Sequence, residues 1–86
     1  MPNRARIHYN LGLLLRVLKR DADAEAALIK ALELGPDNID YLYALADFYL
    51  KKGKIQKAKD LAEQIVAKYP NQRAGHDILN LIEKNF

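Results

Sequence analysis

Three prolines, Pro2, Pro36 and Pro70, fall 34 residues apart. Each opens a similar phrase: Pro2-Asn3-Arg4, Pro36-Asp37-Asn38 and Pro70-Asn71-Gln72. The register also holds between them. Leu11-Gly12 aligns with Leu45-Ala46, Leu15 with Tyr49, Ala24 with Ala58, and Leu34 with Lys68. A fixed period of this length marks stacked supersecondary units, each unable to bury its apolar face without a neighbour. The 86 residues hold two periods and a remainder.

Each period has room for two helices, and the apolar spacing is helical. Ile7, Leu11, Leu14, Leu15 and Leu18 fall at i, i+4, i+7, i+8 and i+11, which predicts a first helix with these residues on one face. A second helix, about 22–34, turns Ala24, Leu28, Ala31 and Leu32 inward. Gly35, expected in a left-handed cap, and Pro36 end it. Asp37 or Asn38 then caps a third helix reaching about Lys52, with Leu42, Leu45, Ala46 and Tyr49 inward, and Gly53 closes it. A fourth, about 55–68, buries Ala58, Leu61, Ala62 and Ile65. A fifth, about 73–84 and capped by Asn71, carries Ile78, Leu79, Ile82 and Phe86 on one face. Leu and Ala dominate, and Val is scarce, which agrees with an all-helical chain.

This pattern resembles the tetratricopeptide repeat, whose signature runs aromatic, Leu-Gly, aromatic, Ala, apolar residue, Ala and Pro. The first copy is His8, Leu11-Gly12, Leu15, Ala24, Leu28, Ala31 and Pro36; the second is Leu42, Leu45-Ala46, Tyr49, Ala58, Ala62 and Pro70. Two departures stand out. The turn Lys19-Arg20-Asp21-Ala22 lacks the glycine found at Gly53, and Ala62 with Ile65 reverses the usual large-then-small order. The resemblance implies one domain: an α-solenoid of two helix-turn-helix hairpins, about 5–38 and 39–72, with a capping helix at about 73–85.

The two ends differ. Asn80 and Glu83 stand where Gly12 and Leu15 stand two periods earlier, so the last helix reads as a polar cap that ends the array. At the start, Ile7 and Leu14 occupy the positions of Tyr41 and Phe48, the residues expected to pack one hairpin on the next. This predicts an apolar edge. Either the chain is the C-terminal part of a longer array, or it covers Ile7 and Leu14 by self-association, or the edge is tolerated in water.

The resemblance further implies that first-helix residues line a concave groove: Arg6, Tyr9, Asn10, Leu13, Arg16 and Val17. Asp40, Tyr43, Ala44, Asp47, Leu50 and Lys51 follow from the second repeat, and Asp77, Ile78 and Leu81 from the cap. Such a mixed wall suits an extended peptide or a partner helix, although Tyr9, Leu13 and Val17 could equally broaden the core. Relatives that clamp a C-terminal carboxylate need Lys, Asn and Arg at positions held here by Tyr9, Leu13, Ala44, Ala74 and Ile78. That mode is disfavoured.

Chemistry is narrowed further by what is missing. There is no Ser, Thr, Cys or Trp, so hydroxyl and thiol nucleophiles, disulfides and thiolate metal sites are excluded within the chain. The aspartates form no paired motif, and the four glycines are isolated rather than grouped in a phosphate loop. His8 and His76 lie two periods apart, too far to share a metal. We expect no enzyme activity and no cofactor. The net charge of +3 is too small to argue nucleic-acid binding. Lys51, Lys52, Lys54, Lys57 and Lys59 form a cationic edge that could meet an acidic ligand or simply be solvated. No apolar run is long enough to span a membrane, and no signal-peptide pattern is present; the compartment stays open, with a slight lean to the cytoplasm. The leading expectation is a scaffold that binds a protein or peptide in its groove. The alternatives are a terminating or self-associating module and an acidic-ligand binder.

Overall fold

The computed structural model describes residues 4–85. Pro2 and Phe86, both used in the sequence argument, lie outside the described residues. Five helices follow one another: α1 (Arg4–Val17), α2 (Asp21–Leu34), α3 (Ile39–Lys51), α4 (Ile55–Lys68) and α5 (Arg73–Asn85). α1 pairs with α2 and α3 with α4, while α5 packs on α4 and touches α3. The result is an all-α slab of 37 × 27 × 15 Å.

The helix ends follow from local chemistry. The Asn38 side chain accepts from the Asp40 and Tyr41 amides at 2.8 and 3.2 Å, which caps α3. Asp21 and Asp23 complement the dipole of α2, whereas α4 starts after Lys54 with no acidic first turn and no side-chain cap. Both intra-hairpin turns use a left-handed residue at the same register: Gly53 at φ +77° and Lys19 at φ 62°. The first turn thus lacks the glycine but not the geometry. Gly35 differs from expectation. Its φ is −137°, outside the left-handed region, and its small size serves packing instead, since a Cβ there would sit 2.9 Å from the Tyr41 ring.

Glycine also sets two helix crossings. A Cβ on Gly12 would lie 2.7 Å from the Leu28 side chain, so α1 and α2 meet closely there. A Cβ on Gly75 would lie 2.9 Å from the Ala62 carbonyl, which fixes α5 against the α4 backbone.

The core is centred on α3, where eight of thirteen residues are buried. Leu42, Ala46, Ala58, Ala62 and Ile65 are wholly enclosed, with Leu28 and Ile78 closing the two ends. The inward residues expected on α2, α3 and α4 are buried, apart from a half-buried Leu32. α1 is the exception. Only Ala5 and Gly12 are buried on it, and Leu11, Leu14 and Leu18 are exposed. Periodicity grouped these leucines on one face correctly, but α2 covers the Gly12 side of α1, and among the described residues no helix lies over Leu11, Leu14 and Leu18.

The hairpins are joined at both ends of α2. Lys52 pairs with Asp21 at 2.6 Å, and Tyr49 donates to Glu25 at 2.7 Å. Beyond the other end of α2, Lys68 pairs with Asp37 at 2.5 Å and reaches the Pro36 carbonyl, while the Tyr69 hydroxyl donates to the Asp37 carbonyl.

Candidate binding groove

α1 and α3 place their outward residues on one concavity. Tyr9, Leu13 and Arg16 come from α1, and Asp40, Tyr43, Ala44 and Asp47 from α3. Ile39, Gln72 and Ala74 complete a cavity of about 490 Å³. The helical period explains the first two sets, because residues four and three apart share a face.

The walls are mixed in character. The Tyr9 ring lies 5.1 Å from the Tyr41 ring at 42°, and the Arg6 guanidinium lies 5.9 Å from the Tyr9 ring centre. Tyr41 is buried beneath, and among the described residues its hydroxyl has no hydrogen-bond partner. Arg16 pairs with Asp47 at 2.9 Å, both about three-quarters buried. Lys51 reaches the other Asp47 oxygen at 3.3 Å. This chain of charges bridges the hairpins and leaves one end of the groove with a net positive charge. Asp40 stands exposed at the opposite end, and Tyr43 presents its ring to solvent.

Seven of the groove positions proposed from sequence therefore meet at one cavity: Tyr9, Leu13, Arg16, Asp40, Tyr43, Ala44 and Asp47. Arg6 and Lys51 flank it through their contacts with Tyr9 and Asp47. Asn10 and Val17 are exposed on α1 outside its lining. Leu50 corrects the expectation. It is buried in the core, because α3 is apolar around most of its circumference and is enclosed on nearly all sides. Ile78 is likewise core, at 1% exposure, where α5 meets α3 and α4. Asp77 and Leu81 lie apart, in a shallow depression with Arg73 and Lys84. Ile39 and Gln72 were missed because they belong to a helix start and a turn, where no period assigns a face.

Other candidate groups are dispersed or engaged. Lys52 is paired with Asp21, and the Lys54 and Lys57 ammonium groups lie 6.0 and 5.3 Å from the Tyr49 ring centre. Burial raises the Tyr49 hydroxyl to about 12, helped by its hydrogen bond to Glu25 and by the carboxylate's charge. His8 is half-buried beside Leu11, and His76 places Nε2 3.2 Å from the Pro70 carbonyl oxygen. Among the described residues, no three His, Cys, Asp or Glu side chains converge as a metal site. No helix among them is long and apolar enough to cross a membrane.

Helical hairpins stacked at a 34-residue period, with first helices lining a concave face, define a helical-repeat protein of the interaction type. Family models described as tetratricopeptide repeat match residues 22–82 and 5–38. The chain belongs to the tetratricopeptide repeat family, whose repeats generally mediate protein–protein contact. It is also 34% identical over 74 residues to human "Protein O-mannosyl-transferase TMTC3". That alignment covers 86% of this chain and 8% of the human protein, so the chain matches only a small part of that relative's length.

Proposed function

We propose that this chain is a non-catalytic scaffold that binds a peptide or partner protein in the groove between α1 and α3. The observation carrying this reading is a cavity of about 490 Å³ where Tyr9, Leu13 and Tyr43 offer apolar and aromatic surface. The Arg16–Asp47 pair and Asp40 border that surface and supply polar definition. Tyrosine gives large contact area with few rotatable bonds, and so anchors a ligand at low entropic cost. The transferase activity named for the human relative stays with that protein, since the shared stretch is 8% of it.

The reading is tested by selecting peptides from a displayed library on the whole chain and titrating the best binder. Tyr43→Ala is expected to weaken binding at least about tenfold, with unchanged far-ultraviolet circular dichroism. Undiminished affinity in both Tyr43→Ala and Tyr9→Ala would refute groove binding.

A further inference from the structure

α1 and α3 run side by side in the same direction, because Tyr9 meets Tyr41 and, further along both helices, Arg16 meets Asp47. The two ends of the groove between them differ in charge. Where the helices begin, it carries one carboxylate, Asp40, and one guanidinium, Arg6, beside the Tyr9 ring. At the far end, Arg16 lies 2.9 Å from one Asp47 oxygen and Lys51 3.3 Å from the other. Among the described residues, Asp47 is the one carboxylate paired with either cation. Two cations share one anion, and a positive charge is left over beside apolar surface.

Resting on the groove reading above, we propose that the occupant is a peptide segment with a carboxylate side chain two residues from an apolar or aromatic one. The apolar side chain lies against Leu13 and Tyr43, and Arg16 and Lys51 receive the carboxylate. Spacing sets this register. Tyr43 and Asp47 are four residues apart on one face of α3, about 6 Å along its axis. In an extended peptide, side chains at i and i+2 share a face and stand about 6.5–7 Å apart, whereas adjacent ones point to opposite faces. The anion comes from a side chain, because a terminal carboxylate lies on the line of the backbone and not on the face turned to α3.

Asp47 plays two parts. It holds both cations at once, as an incoming carboxylate must, and by doing so it weakens their pull on that carboxylate. A second anion brings the set to neutrality, while a cationic side chain there would meet Arg16 and Lys51.

The test selects peptides on the whole chain from a library displayed within a loop, then synthesises the best binder with acetylated and amidated ends. Asp or Glu is expected two residues from Leu, Phe or Tyr, and changing that acid to its amide is expected to weaken binding about tenfold. Lys51→Gln, an exposed substitution that removes the surplus charge, is expected to erase most of this difference. Asp47→Asn is expected to tighten the acidic peptide about threefold or more and to leave its amide counterpart unchanged, with helicity checked by circular dichroism. Binders that need Tyr43 yet bind equally well as acid and amide would overturn the proposal and leave the groove reading standing. So would a difference between acid and amide that Lys51→Gln and Asp47→Asn both leave untouched. A selection that yields no binder, or only binders indifferent to Tyr43→Ala and Tyr9→Ala, would refute the groove reading itself.

Discussion

Lys19 adopts at φ 62° the conformation that Gly53 adopts at φ +77° one period later. A residue with a Cβ loses about 1–2 kcal/mol in that region relative to the right-handed one, a penalty glycine escapes. Lys19→Gly is therefore expected to stabilise the fold by about 1 kcal/mol, seen as a higher urea midpoint with an unchanged slope. Tyr49 makes a second residue-level point. Its hydroxyl is raised to about 12 in the fold, against an ordinary value near 10. A raised folded value gives stability that is fully present below pH 10 and is lost as pH climbs toward 12. The stability advantage of the native chain over Tyr49→Phe should then shrink as pH rises from about 10 to about 12. Comparing the two proteins removes the lysine titration they share. The Tyr41 hydroxyl is a third case, buried with no partner among the described residues. Tyr41→Phe removes that unmet donor and should be neutral or stabilising in the same denaturation assay.

At the level of elements, α5 is attached through Gly75, where a Cβ would lie 2.9 Å from the Ala62 carbonyl. A backbone oxygen cannot rotate away as a side chain can. Gly75→Ala is expected to destabilise by about 1–3 kcal/mol, and hydrogen exchange should show α5 losing protection before α3 does. Nothing in the sequence marked Gly75 as a crossing, because the repeat pattern places Ile7 and Tyr41 at that register. By contrast, Leu42, Leu45, Ala46 and Tyr49 were legible as a buried set, as was the Asn38 cap. Spacing and side-chain chemistry alone determine those. Spacing tells which residues share a face, not whether that face is covered. This is why Leu11 and Leu18, grouped with Leu15 on one apolar face, stand in water. The same gap explains Leu50, which stands at the groove register of Arg16 one period later but sits on a helix enclosed from nearly every direction. The groove's α1 and α3 walls could be read from the repeat; its Ile39 and Gln72 margin required the tertiary arrangement.

For the molecule as a whole, identical register does not mean identical energy. Phe48 and Leu14 occupy the same position in their repeats, at 1% and 55% exposure. Phe48→Ala should cost about 3–5 kcal/mol, while Leu14→Ala should stay within about 0.5 kcal/mol. Thermal melts of the two variants would show whether the asymmetry of the slab governs stability. The junction between hairpins carries a consequence of its own. Asp21 stands at the start of α2 and Asp37 just past its end, each held by a lysine from the second hairpin. One fastening would leave a pivot about which the hairpins could swivel; two, at opposite ends of one rod, hold the angle between them. Both fastenings are ionic and lie near the surface, so added salt weakens them without touching the apolar packing. Ionic strength is therefore expected to soften the angle between the hairpins slightly, while the Tyr49–Glu25 hydrogen bond and the apolar junction keep the groove's overall shape.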